Sequence, residues 1–309
     1  RKKTHMNLIV SGSIYSLMQK IFQNAKEPLF NRADNIIKLA AFDTETLKEI
    51  IRDYYPEYTN DDLLALYSFT GGIPKYVELL CDGKRLDVNG MIEFMVRDNS
   101  PFTDEGKNLL IDELGKNYAT YFSILSAISG GQNTQPEIEA ALGNKGIGGQ
   151  LKRLIEDYNL ISRQRPILAK ENTQTVRYEI HDCFLRFWFN YFDRHLSLIE
   201  IKNFKALQEI IKTDYTTYSG KLLELFFKQK MAESKEYRMI GSWWEAKKDQ
   251  HEIDIVGIKL EKNKVFAVEV KRQKKNFKPT VFDEKVQHFK QKVLPKYHIE
   301  PRCWSLEDM

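Results

Sequence analysis

The sequence predicts a multidomain α/β protein, and three observations carry that prediction. Its 309 residues correspond to two or three domains of ordinary size, each large enough to bury its own core. Between about residues 43 and 113, Leu, Ile and aromatic residues recur at spacings of three and four, the mark of helices with one apolar face. From Tyr237 onward, YRMIGSWW, EIDIVGIKL and KVFAVEVKR are short runs with the composition of strands, the last two rich in Ile and Val.

Taken in order, residues 6–39 read as strand, helix and strand. AFDTETLKEIIRDY then opens a helix that Asp43 or Thr44 caps, with Glu45 and Glu49 favouring the positive end of its dipole. TNDDLLALYSFTGG continues as helix until Gly71 and Gly72 stop it, and PKYVELLCD and VNGMIEFMVRD add two more. From about Tyr118 the pattern becomes three short helices (YATYFSILSAIS, TQPEIEAALG and IGGQLKRLIEDYN) and two strands (LISRQRP and VRYEIH) separated by AKENTQT. This is the order of a winged helix. If it binds DNA, Gln150, Lys152 and Arg153 of its third helix approach bases or phosphates, and Arg163 and Arg165 flank them from the wing; the alternative is a structural spacer. HDCFLRFWFNYFDRHLSLI holds Phe184, Phe187, Trp188, Phe189, Tyr191 and Phe192, and an aromatic band at helical spacing fills a core between domains rather than binding a cofactor. A helix carrying Glu224 precedes the strands, and FDEKVQHFKQKV is a helix that covers them.

Composition narrows the setting. Cys81, Cys183 and Cys303 are far apart, odd in number and without C-x-x-C spacing, so neither a disulfide framework nor a zinc site is expected. His181 and His195 have no other ligand type in register; His251, beside Glu252 and close to Asp254, is the one histidine with a suggestive position. No apolar run approaches the roughly 20 residues of a membrane helix, and the basic start RKKTHMNLIVSG carries no cleavage signal. The expectation is a cytoplasmic protein with no membrane partner. Net charge is only +4, but residues 220–309 hold 20 Lys and Arg against 14 Asp and Glu. Much of that excess is KRQKKNFK, where Arg272, Lys274 and Lys275 stand beside Phe277, a run suited to phosphates and hence to DNA or RNA. The other reading is a strand edge whose lysines discourage pairing.

The sharpest chemical signal lies at residues 252–271. LEKNK supplies a turn between two strands, so EIDIVGI and VFAVEVK pair as a hairpin in which Asp254 and Glu269 can face each other. Alternation places Glu269 and Lys271 on one face and Val268 and Val270 on the other. Two carboxylates and an ammonium suit a hard divalent cation such as Mg²⁺, held by Asp254 and Glu269. A solvated hairpin with an ordinary salt bridge is the plainer alternative.

With Asp254 and Glu269 fifteen positions apart and Lys271 completing Glu-x-Lys, this hairpin resembles the PD-(D/E)XK nuclease superfamily. That resemblance implies Lys271 as the residue that orients water, and Glu224 in GKLLELFFKQKM as the acidic residue of the preceding helix. Together with SGSIYSLM, PLFNR, GGIPKYV and SWWEAKKDQHEIDIVGI, taken in order, the chain is similar to archaeal-type ATPases of the AAA+/STAND class. The resemblance implies a truncated P-loop ATPase core at residues 1–42, a helical lid at 43–115, a winged helix at 116–182, an aromatic helical linker at 183–210 and an α/β restriction-endonuclease-like domain at 211–309. It also implies ATP as cofactor of the intact parent, with Ser11 or Ser13 sensing the γ-phosphate, Arg32 as a finger, Gly72 and Pro74 near the adenine, and oligomers built through the ATPase module. No G-x-x-x-x-G-K-S/T occurs in the chain, so this sequence is not expected to hydrolyse ATP by itself. The expected function is Mg²⁺-dependent hydrolysis of nucleic-acid phosphodiesters by the C-terminal part. The alternative is a non-catalytic platform for nucleic acid or protein, regulated by the ATPase module.

Overall fold

Capping side chains mark where several helices begin. In the computed structural model, which describes residues 8–12, 14–115, 118–245, 251–261 and 264–309, Asp43 accepts from Thr46 N at 2.7 Å and starts α2 (Thr44–Tyr54). A reciprocal Thr59–Asp62 capping box starts α3 (Asn60–Thr70), and Gly71, at φ 61°, ends it in the left-handed conformation that glycine adopts without strain. Pro74 occupies the first turn of α4 (Pro74–Asp82), where its missing N–H has no consequence. The helices α5 (Val88–Met95) and α6 (Glu105–Leu114) follow. Nearly every residue of α3 is buried, so this helix is the axis of the N-terminal helical layer rather than an amphipathic member of its rim.

Residues 6–39 depart from the expected strand, helix and strand. Among the described residues of this stretch only the helix forms, as α1 (Tyr15–Gln23); Glu113 of α6 accepts from Tyr15 N at 2.7 Å and from Ser16 Oγ at 2.7 Å and so caps it. Residues 8–12 and 35–43 have no strand structure, and Ile9, Ile37 and Leu39 are 91%, 82% and 90% exposed. Among the described residues no strand lies alongside to take up their backbone hydrogen bonds, and an apolar segment without a partner does not form a sheet.

Three helices, α7 (Tyr118–Ser129), α8 (Gln135–Ala141) and α9 (Gly148–Glu156), lead into an antiparallel pair, β1 (Ile161–Gln164) and β2 (Arg177–Ile180). The connection from β1 to β2 does not project freely. Ile167 is buried beside Trp243 and donates its N–H to Ser242 O at 2.8 Å, so this loop sits on the edge of the C-terminal sheet. The aromatic band forms α10 (Cys183–Phe187) and a π-helical stretch (Trp188–Asp193), with all six aromatic rings buried. Trp188 lies over α6, where a Cβ at Gly106 would meet its ring at 2.3 Å. Gly106→Ala is therefore expected to lower unfolding free energy by about 2 kcal/mol through overpacking. Chemical denaturation measures this, and an unchanged midpoint would show that Trp188 can repack.

After α11 (Leu196–Glu200), α12 runs unbroken from Phe204 to Glu233. The boundary expected at residue 211 falls inside this 30-residue helix. It packs on α3 along both halves, through Tyr215 and Phe226, and also on α5 and the C-terminal sheet, and one continuous core runs from Leu47 to Val270 and Met309. That sheet has the order β3 (Tyr237–Trp244), β4 (Glu252–Lys259), β5 (Lys264–Val270) and β6 (His298–Trp304). The first two pairings are antiparallel; β5 and β6 are parallel, joined across the sheet by α13 (Pro279–Val293). Ile255, Phe266 and Val268 pack with α12 residues such as Phe226 and Met231, while Val256, Val265 and Ala267 pack with Phe282, Val286 and Phe289 of α13. Both faces of β5 are thus buried, and a charged residue on it must find partners. Among the described residues no helix is long and apolar enough to cross a membrane.

Candidate active site

Three elements carry the predicted carboxylates, near enough for the charges of Glu224 and Glu269 to act on Asp254. Asp254 stands near the start of β4, Glu269 near the end of β5, and Glu224 on α12, the helix that lies against this sheet. Asp254 Oδ2 accepts from Val270 N at 2.7 Å, across the two strands, and Asp254 has no ion pair among the described residues. Burial first, then the charges of Glu224 and Glu269, push its carboxyl up to about 7, against partial relief from the Val270 N–H and Lys271. Glu269 is 8% exposed. Its Oε1 accepts from Lys271 Nζ at 2.8 Å, and its Oε2, 3.5 Å from Lys285 Nζ, is buried without a hydrogen bond among the described residues. Burial pulls the Lys271 ammonium down, but the hydrogen bond and charge of Glu269, with Asp254 and Glu224, hold it above its ordinary range. Glu224 accepts from Lys221 Nζ at 2.8 Å.

Three residues were not singled out from sequence. Lys285 reaches Glu269 from α13. Lys228 of α12 donates to Ser242 Oγ at 2.6 Å, and Ser242 Oγ donates in turn to the carbonyl oxygen of Asp254 at 2.8 Å. Burial lowers the Lys228 ammonium below its usual range. Lys221, Lys228, Ser242 and Trp244 line a cleft of about 310 Å³ that continues to Arg177 and Glu179 on β2. No sequence period reports which helical lysine reaches a strand, so these residues carried no signal.

The structure divides the predicted basic contacts. Lys274 and Lys275 are exposed on a short 3₁₀ turn. Arg272 is not available: it donates to Asp61 Oδ1 and Oδ2 at 2.8 Å each and to Ser219 Oγ, with its guanidinium over the Tyr215 ring. Its charge belongs to the junction of α3, α12 and β5 rather than to the surface. On α9, Lys152 and Arg153 are exposed, Lys152 lies 3.7 Å from Glu156, and Gln150 and Arg153 line a shallow cavity of about 290 Å³ with Tyr121. Arg163 is exposed on β1; Arg165, also exposed, donates to Glu171 O at 3.0 Å. Trp243 and Trp244 are both buried, so neither is free to stack on a base.

The nucleotide residues form no comparable group. Ser11 and Arg32 are exposed in irregular chain, and Ser13 lies outside the described residues. Gly72, at φ 74°, turns the chain between α3 and α4, and its carbonyl accepts from Phe42 N at 2.8 Å; a Cβ there would meet Phe42 O at 2.7 Å. Pro74 starts α4. Among the described residues no hydrogen bond joins any of Ser11, Arg32, Gly72 and Pro74 to another.

Residues 188–282 match DUF234, a family described as archaea bacterial proteins of unknown function. That stretch is about a third of the chain and contains Glu224, Asp254, Glu269 and Lys271. Across 279 residues the chain is 31% identical to an uncharacterised protein of Methanocaldococcus jannaschii, covering 87% of this chain and 60% of that relative. The chain thus spans less than two thirds of the curated relative that it matches. A Walker-type ATPase of Pyrococcus abyssi is similar over 58% of this chain and 51% of its own, at 20% identity and a TM-score of 0.35.

Proposed function

We propose that the C-terminal part of this chain hydrolyses phosphodiester bonds of DNA with Mg²⁺, as one section of a longer ATP-binding protein of the AAA+/STAND class. The nuclease reading rests on the Asp254 carboxylate, which accepts from Val270 N across the strand pair and lies within reach of the charges of Glu224 and Glu269, and on a buried Glu269 oxygen that has no hydrogen bond among the described residues. Such a set of hard oxygen donors fits Mg²⁺. Asp254 and Glu269 would hold the ion, which would supply Lewis-acid polarisation of a phosphoryl oxygen and activation of water. Lys271 donates a hydrogen bond to the attacking water and offsets developing negative charge. Glu224 holds Lys221 and adds negative potential behind Asp254. The ATP-binding half rests on the ordered sequence resemblance, with Ser11, Ser13, Arg32, Gly72 and Pro74 in their family roles in the intact protein. Exposed Lys274 and Lys275 bind phosphate beside the site, and Gln150, Lys152, Arg153, Arg163 and Arg165 form a second basic face.

One observation favours a second reading, the non-catalytic platform: two ammonium groups, of Lys271 and Lys285, already flank Glu269. The test uses the full chain, because separation at residue 211 would cut α12. Mg²⁺- or Mn²⁺-dependent cleavage of single- and double-stranded DNA and RNA is measured for the wild type, Glu269→Gln and Lys271→Ala. The expected result is cleavage of DNA that falls at least about 100-fold in each variant while salt-dependent binding survives. Binding without cleavage in the wild type would establish the platform, and cleavage of RNA alone would change the substrate class.

A further inference from the structure

A second group of ligand-type side chains stands at the end of the β3–β4 hairpin where β3 finishes and β4 begins, three residues before Asp254. Trp244 and Glu252 are paired in register, which places Glu245, directly after β3, and His251, directly before β4, side by side where the chain leaves one strand and enters the other. Helix α13 covers that end: Trp243 packs on Phe289 at 5.1 Å and on His288 at 5.9 Å, so His288 is carried to the same point. One ligand atom from each of Glu245, His251 and His288 lies within 4.8 Å of the other two. His288 Nε2 is 3.1 Å from Glu245 Oε1, and the two imidazoles stack at 4.2 Å with 21° between their planes. A buried nitrogen points to a ligand independently of that spacing. His251 Nδ1 is shielded from solvent and has no hydrogen-bond partner among the described residues, a state that buried polar atoms rarely keep.

We propose that Glu245, His251 and His288 form a binding site for Zn²⁺ or another borderline divalent transition metal, separate from the Asp254–Glu269 site. Two imidazoles and one carboxylate favour zinc, cobalt or nickel over Mg²⁺, which prefers an all-oxygen shell. Bonds of about 2.0–2.2 Å to a tetrahedral ion require ligand atoms roughly 3.3 Å apart. The Glu245–His288 edge is already that short at 3.1 Å, so only the His251 ring has to adjust to complete the set. Three protein ligands leave a fourth position for water. The group that competes is Lys292, whose ammonium contacts Glu245 and is itself 58% exposed. An exposed ion pair of this kind is weak, and the lysine can swing into solvent when a metal arrives. Bound metal would tie α13 to the end of β4, three residues before Asp254. The inference does not depend on nuclease activity.

The test is Zn²⁺ titration of the chelator-stripped full chain by calorimetry in excess Mg²⁺, with the visible spectrum of added Co²⁺ as a second readout. We expect one ion per chain, a tetrahedral Co²⁺ spectrum, and binding weakened at least about tenfold in His251→Ala and in His288→Ala. Lys292→Ala should tighten binding about two- to fivefold by removing the competitor. The Asp254→Asn/Glu269→Gln double variant should bind Zn²⁺ as the wild type does. Circular dichroism of the metal-free histidine variants checks that they fold, and Glu245→Gln, a near-isosteric change, provides a second loss-of-ligand variant. Binding unchanged in the histidine variants overturns the proposal, as does binding that vanishes only in the Asp254→Asn/Glu269→Gln variant.

Discussion

Arg272→Ala is expected to destabilise the whole chain by about 3 kcal/mol, a larger effect than any other single change in the basic run. The guanidinium makes two hydrogen bonds to Asp61 of α3, one to Ser219 of α12, and stacks on Tyr215, so it joins the helical layer to the end of β5. Its side chain is only 13% exposed. Removing it leaves the Asp61 carboxylate next to the Tyr215 hydroxyl with its counter-charge gone, and a partly buried carboxylate without its partner is costly. Asp61 is about one third exposed, which moderates the loss relative to a fully buried pair. Urea unfolding measures it. Lys274→Ala and Lys275→Ala, by contrast, should leave the midpoint within about 0.5 kcal/mol and reduce the salt dependence of DNA binding by about one ion each. If Arg272→Ala is as stable as these two, the junction does not rely on the ion pair.

Arg272 also shows where the sequence stops being informative. In KRQKKNFK every basic residue looks alike, and Asp61 lies 211 positions away, so nothing local separates the buried arginine from its exposed neighbours. Local signals did better. Asp43 and Gly71 act within four residues of themselves, and each sits at the helix end that its chemistry specifies. The antiparallel pairing of β4 with β5 was legible for a similar reason, since a short turn brings nearby runs into register, here from Ile258 and Val265 to Ile255 and Val268. The continuity of α12 was not legible. Thr213, Thr216, Thr217 and Gly220 all weaken a helix, and burial of Tyr215, Ser219 and Leu222 between two layers holds it straight through them. The apolar segments at residues 8–10 and 36–39 gave the opposite error, because strand composition says nothing about whether a neighbouring strand is there to pair with.

Asp254→Asn is expected to stabilise the metal-free chain at pH 8 and to abolish its response to Mg²⁺. Burial and the charges of Glu224 and Glu269 raise this carboxyl from its ordinary 3.8 to about 7. Below about pH 4 it is protonated in both the folded and the unfolded chain and has no differential effect. Between there and about pH 7 the unfolded chain gives up the proton and the folded chain keeps it, so each step upward in pH favours unfolding. Above pH 7 the loss is complete, at most on the order of 4 kcal/mol. An asparagine keeps an acceptor for Val270 N–H and carries no charge, so a gain of about 2 kcal/mol, or several degrees in Tm, follows at pH 8 and fades toward pH 5. Mg²⁺ acts on the wild type in the opposite sense, because it binds the ionised carboxylates and so raises Tm more at pH 8 than at pH 6. Thermal unfolding at both pH values, with and without Mg²⁺, separates the cases. A less stable Asp254→Asn at pH 8 without metal would mean that Lys271 and Lys228 already balance the carboxylate, and the site would then have no electrostatic need for a cation.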